Sequence, residues 1–261
     1  TYKPLAQLQL IMVTTNLKTP GVYIEEISKF PPSIAQVETA IPAFIGYTKI
    51  AKVGTEDFHA NPEDSIVRAI RITSLLEYEQ FFGTSLPERP EAIEVRITER
   101  RSSDDRVLNR EVIARNQNPN AHNMYYSLQA YFANGGGPCY IVSVGPMKEE
   151  NLIILDRLQK GLKEIEKEDE VTLIVFPESQ SLEDADYGTL LGNALDQCGK
   201  LQDRFVVMDM KVKDTDLSIF NAAATFRNAS LPLDNLKYGA CYTPNVETVF
   251  NYIYTPENVK V

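Results

Sequence analysis

The stretch with the most obvious chemical potential is Gly135-Gly136-Gly137, because glycine-rich loops at helix N-termini cradle phosphates. Its order is reversed for that purpose. The triplet follows a helical pattern and precedes a strand, and no Gly-Lys-Ser/Thr comes after it. It therefore reads as a helix stop in left-handed backbone with a sharp entry into the next strand. The two histidines, His59 and His122, lie in polar segments without a second His or a Cys at ligand spacing, and no serine stands in a Gly-x-Ser-x-Gly elbow. The acidic pairs Glu25-Glu26, Glu149-Glu150 and Asp184-Asp186 have the residue type for acid–base catalysis, but on a chain with 36 acidic and 26 basic residues they read as solvated surface. Apolar strands ending at Val144-Gly145 and Phe176-Pro177 place Lys148 and Glu178-Ser179 near the carboxyl edge of a sheet, where open α/β folds take ligands. That is an analogy of fold and assigns no function. The expectation is a non-enzymatic protein with no catalytic, cofactor-binding or metal-binding residues.

Composition narrows the partners. With 261 residues, 43% of them hydrophobic, the chain can bury a sizeable core and is not a disordered protein. Its net charge of −10 repels nucleic-acid phosphate and anionic membrane surfaces. The nearest thing to a basic patch, Arg96, Arg100, Arg101, Arg106 and Arg110, is interleaved with Glu94, Glu99, Asp104 and Asp105, which reads as a mixed-charge solvated face. Neither nucleic acid nor membrane is expected as a partner. Cys139, Cys198 and Cys241 are odd in number, far apart and each in an apolar context, as suits buried, reduced thiols in a cytoplasmic protein. No stretch approaches the length of a transmembrane helix, and Thr1 to Val13 lacks the long apolar region and cleavage site of a secretory signal. Taking Met12 as the natural start would make residues 1–11 an extension.

The elements that must position these residues fall into two parts. Residues 1–40 read as an N-terminal arm and linker: Val22, Tyr23, Ile24, Glu25, Glu26 and Ile27 have strand composition but are bounded by Pro20-Gly21 and Pro31-Pro32, too short to stand without a neighbouring sheet edge. Residues 41–261 read as an α/β core. Ile41 to Tyr47 is its first strand, a short strand follows at Ile66 to Ile72, and Thr73 or Ser74 caps a helix that ends at Gly83. Residues 84–121 form an inserted hairpin region, with Ala92 to Thr98 and Val107 to Ile113 alternating around the turn chemistry of Ser102 to Asp105. Helix and strand then alternate: a helix from Met124, a strand Cys139 to Val144, a helix Glu149 to Lys167, a strand Val171 to Phe176, a helix over 184–201, a strand Phe205 to Met210, a helix Ile219 to Asn228 and a strand Tyr238 to Tyr242. Val249 to Tyr254 again has strand composition. Nearly all-apolar strands in β-α units argue for a mostly parallel sheet with helices on both faces.

Several of these segments together resemble the tail sheath proteins of contractile injection systems, meaning phage tails, tailocins and extracellular contractile particles. They are Pro20-Gly21-Val22-Tyr23-Ile24-Glu25-Glu26, Ile41-Pro42-Ala43-Phe44-Ile45-Gly46-Tyr47-Thr48, Ile72-Thr73-Ser74 with Phe81-Phe82-Gly83, and Tyr131 to Gly137 with Cys139-Tyr140-Ile141-Val142. Asp203-Arg204-Phe205 and Lys237 to Tyr242 complete the series. The resemblance implies a structural subunit that assembles with other sheath subunits around an inner tube protein, beside baseplate or terminator proteins, built in the bacterial cytoplasm and needing no cofactor. It further implies that Val22 to Ile27 is donated as a strand to a neighbouring subunit. Family members continue past the strand at Tyr238 to Tyr242 into a C-terminal domain. With Val261 as the last residue, the expectation is a truncated subunit or short paralogue, or alternatively a cap or terminator that does not propagate the sheath. A small-molecule-binding α/β domain is the reading from a different class.

Overall fold

In the computed structural model, residues 40–61, 66–116, 119–148, 152–212, 218–227, 231 and 233–261 are described. The arm Val22, Tyr23, Ile24, Glu25, Glu26, Ile27 and the Glu149-Glu150 pair lie outside the described residues. The apolar run after Ala40 is β1 (Pro42–Thr48), buried at every position as a strand covered on both faces must be. A two-strand ribbon, β2 (Lys52–Val53) and β3 (Glu56–Asp57), follows, then β4 (Ala69–Ile72), α1 (Leu75–Phe82), β5 (Ile93–Arg101), β6 (Val107–Asn116), α2 (Met124–Ala133) and β7 (Cys139–Pro146). The second half runs α3 (Leu155–Ile165), β8 (Leu173–Val175), α4 (Asp184–Leu201), β9 (Phe205–Asp209), α5 (Ile219–Arg227), β10 (Gly239–Tyr242) and β11 (Val259–Lys260).

The main sheet has six strands in the order β10-β9-β8-β1-β7-β4. All its pairings are parallel except β4 on β7, with Ala43 opposite Tyr140 and Phe44 opposite Val175. The expected mostly parallel α/β sheet is therefore present. Strand alternation sends Phe44 to one face, where its ring meets Tyr131 of α2 at 5.3 Å, and Tyr47 to the other, where the Arg157 guanidinium of α3 lies 6.0 Å from its ring. Gln197 of α4 donates to the Leu162 carbonyl of α3 at 2.8 Å, so α3 and α4 share a layer. Helices thus cover both faces, as reversal of crossover direction at β1 requires.

Local chemistry sets the element ends. Ser74 caps α1 by accepting from the Glu77 N–H, while the Glu77 carboxylate reaches back to the Thr73 N–H and hydroxyl. At the end of α2 the Gly135 N–H donates to Phe132 O (3.1 Å) and the Gly136 N–H to Tyr131 O (2.9 Å), a Schellman closure with Gly135 at φ 84°. The left-handed residue is Gly135, whereas Gly136 is needed because a Cβ there would lie 2.5 Å from the Tyr131 ring. Gly135→Ala is expected to lower stability by about 1 kcal/mol, since alanine must adopt positive φ. A urea-midpoint comparison with wild type measures this.

Several expectations shift. In the stretch from Ile66, only Ala69–Ile72 pairs as a strand. Residues 152–154 are not helical, and α3 begins at Leu155, because Ile154 is extended and its N–H is taken by the Tyr47 hydroxyl at 3.0 Å. Val249 to Tyr254 forms no strand: its contacts are to side chains, with Tyr252 stacked on Tyr126 at 5.2 Å and donating to the Glu88 carboxylate, and the Ile253 N–H donating to the Tyr126 hydroxyl. Cys139 and Cys198 are buried, but Cys241 is exposed because β10 is an outer strand. Asp184 and Asp186 are exposed in the first turn of α4, where the helix dipole favours acids.

The hairpin β5–β6 stands on its own sheet, in the order β11-β5-β6. Ile97 lies opposite Val112 and Glu94 opposite Arg115, with one irregularity between Arg100 and Arg101. The arginines are solvated and mixed with acids, as expected: Glu99 accepts from Arg101 (2.7 Å) and Arg110 (2.5 Å), which holds its carboxyl below the usual range. The base of the hairpin is tied down by the last residues, where the Asn258 side chain donates to Glu88 O and Val259 pairs with Ile93.

Candidate functional site

The carboxyl edge of the main sheet gathers side chains that are scattered in the sequence. Glu178, three residues past β8, is buried without exposure, its carboxylate turned inward beneath the end of β1. Its Oε2 accepts from the Tyr47 N–H at 2.8 Å and its Oε1 lies 3.4 Å from His122 Nδ1; the Met124 N–H also hydrogen-bonds to the carboxylate. Gly46 makes this possible, because a Cβ there would sit 2.8 Å from Oε2. Asn123 makes no side-chain cap to α2, and the first turn of α2 has no acid. Glu178 supplies that cap from another part of the chain. Burial pushes the Glu178 carboxyl up, while His122 and the two backbone donors pull the other way.

His122 is itself buried, with Nδ1 facing the Glu178 carboxyl and Nε2 facing the Lys148 backbone, 3.2 Å from its O and 3.3 Å from its N. The acid–histidine pair resembles the orienting half of a nucleophile triad. Its outer nitrogen, however, faces the backbone of Lys148 and no hydroxyl or thiol. Glu178 and Lys148 are thus brought together as the strand ends suggested, but through the Lys148 backbone; Ser179 bonds only locally, to Phe176 O.

A second histidine arrives at the same edge. His59 Nε2 lies 2.8 Å from Ser143 Oγ, and Ser143 Oγ lies 2.6 Å from Thr48 Oγ1. The Thr48 hydroxyl already donates to Ile50 O at 2.7 Å, so Ser143 must donate to Thr48 and His59 must donate to Ser143. His59 is therefore no base toward Ser143 in this arrangement. Burial lowers its pKa to about 4, so the ring is neutral, and Asp57 accepts from its backbone N–H at 3.0 Å. Ser143 is buried in β7 and reaches no open space.

Beside this network an open groove is lined by Asn123, Ser127, Pro177, Gln180, Asp209 and the segment Tyr242 to Val246. Burial raises the Asp209 carboxyl, with Gln180 as its hydrogen-bonding partner. Among the described residues no group of His, Cys, Asp and Glu could hold a metal ion, and no helix is long and apolar enough to cross a membrane. The geometry at this edge does the work of a fastener: one carboxylate joins the end of β1, the start of α2 and His122. The sequence offered a weak signal for it, namely an acid directly after a buried strand together with a helix lacking its own cap. The pairing depends on the folded path of the chain.

No family model matches the chain, and no curated protein matches it. Among solved structures it is similar to a chain in the cryo-electron-microscopy structure of the anti-feeding prophage baseplate in the contracted state. That likeness has 21% identity and a TM-score of 0.53, and covers 90% of this chain and 49% of the other. The two share a fold across nearly the whole of this chain, which spans about half the length of its neighbour.

Proposed function

We propose that this protein is a structural subunit of a contractile injection system, specifically a sheath-type subunit that assembles with its own copies around an inner tube protein. Supporting this most directly is the fold shared over 90% of the chain with a chain of a contracted baseplate particle. The motif resemblance to sheath proteins points the same way. So does the chemistry of the carboxyl edge, where the acid–histidine pair fastens elements together and the serine is closed off. In this reading the protein is not an enzyme and takes no cofactor; contraction releases energy stored in subunit contacts. Val22 to Ile27 acts as the inter-subunit arm, and baseplate or terminator proteins cap the assembly.

The test is electron microscopy of the chain mixed with a tube protein of a contractile injection system. The expected result is rings or sheathed tubes for wild type and none after deletion of residues 14–30, with circular dichroism of the deleted protein unchanged. Decoration of tube ends alone would favour the cap reading, and a monomer indifferent to the tube would remove both.

A further inference from the structure

The longest uncovered strand edge in the described chain is β6. We propose that two copies of the protein pair antiparallel along β6 about a two-fold axis at Ile113, placing Glu111 of each copy opposite Arg115 of the other. The strand is ten residues long and outermost in its sheet, every residue but Asn116 is exposed, and among the described residues no strand occupies its outer side. The free edges of the main sheet, β4 and β10, have only four residues each. Long edges are ordinarily blunted by proline, lysine or bulges, because their unpaired N–H and C=O groups template further strands. Val107 to Asn116 contains neither proline nor lysine, and its one irregularity, the unpaired Leu108 opposite Arg100/Arg101, lies at its start and leaves Asn109 to Asn116 in regular register.

The register follows from charge. A two-fold axis perpendicular to the sheet pairs residues that point to the same face, so the centre falls on a single residue. Centring on Arg110 or Glu111 sets like charges against each other. Centring on Val112 puts Arg110 on Ala114 and Arg115 on Asn109, with no charge paired. Centring on Ile113 sets Glu111 against Arg115 twice, Val112 against Ala114, and Ile113 against itself. Neither Glu111 nor Arg115 has an ion-pair partner among the described residues, and Glu94 across from Arg115 pairs instead with Arg96 at 3.3 Å. The exposed Ile97–Val112 stripe of each copy then meets its equivalent across the axis. This contact goes beyond the sheath reading: it is isologous and closes on itself, whereas rings and tubes need head-to-tail contacts. It would cover the edge in free subunits.

The test is sedimentation velocity of the full chain, without any tube protein, over a concentration series. Wild type is expected to dimerise. E111R and R115E should each weaken dimerisation at least about tenfold, and the double variant E111R/R115E should restore it. A spin label at I113C in the wild-type background should give one short inter-label distance, which fixes the register without disturbing either charge. A wild type that stays monomeric, single variants that dimerise normally, a double variant that does not recover, or a long inter-label distance would each overturn the proposal.

Discussion

Glu178→Ala is expected to remove about 3–5 kcal/mol of folding stability, the cost of breaking a buried pair by deleting one partner. The loss comes from several groups at once. The Tyr47 and Met124 N–H groups lose their acceptor where water cannot replace it, His122 loses the carboxyl 3.4 Å from its Nδ1, and α2 loses its side-chain cap. Glu178→Gln keeps one carbonyl oxygen and should fall between alanine and wild type. Its difference from wild type should also depend on pH. Burial raises the folded-state pKa of Glu178 above the 4.5 of an exposed carboxyl, so the folded state holds the proton more tightly than the unfolded chain. The stabilisation from this carboxyl is complete below 4.5 and is lost as pH rises through the folded value. The advantage of wild type over Glu178→Gln should therefore be largest in acid and shrink toward neutrality. Urea unfolding of the three proteins at several pH values measures both effects; an alanine variant within about 1 kcal/mol of wild type would show that the groups around the carboxyl find other partners.

Arg204→Met should cost about 3 kcal/mol through the same asymmetry of buried polar groups. The guanidinium is buried against the C-terminal end of α3, donating to Ile165 O at 2.8 Å and Glu168 O at 3.2 Å, carbonyls that otherwise accept only single backbone N–H groups, from Glu168 (3.1 Å) and Val171 (3.4 Å). It also favours the negative end of the α3 dipole. Lysine at 204 should recover only part of the loss, because one ammonium cannot span both carbonyls as the planar fork does. Asp203 pairs with the same guanidinium at 2.8 Å but is 44% exposed, so Asp203→Ala should change stability by less than about 1 kcal/mol. Thermal unfolding of the three variants separates helix capping from the surface ion pair: if Asp203→Ala matched Arg204→Met, the carbonyl contacts would not be the source.

Much of the architecture was legible because burial leaves a period in the sequence. Ile41 to Tyr47 is apolar at consecutive positions and is the central strand; Ile93, Val95 and Ile97 alternate and form a hairpin arm; Ser74 and Gly83 bracket α1 through their own chemistry. Val249 to Tyr254 carries the same strand composition but has no ladder to join, because its neighbours offer the Tyr126 hydroxyl and the Glu88 carboxylate in place of a strand edge. Cys241 shows the same limit, since apolar flanks do not say whether a strand is central or outermost.

By itself the sequence determined the alternation of elements, the reversed order that rules the glycine triplet out as a phosphate loop, and the mixed charges of the hairpin arm. These are properties of residues close along the chain, where backbone geometry and spacing suffice. Only the tertiary structure decided that Glu178 meets His122 and caps α2, that His59 donates to Ser143, and that among the described residues β6 is left as an open edge. Each of those depends on where the β1, β7 and β8 crossovers carry distant segments, and on how deeply they bury the charges brought together there.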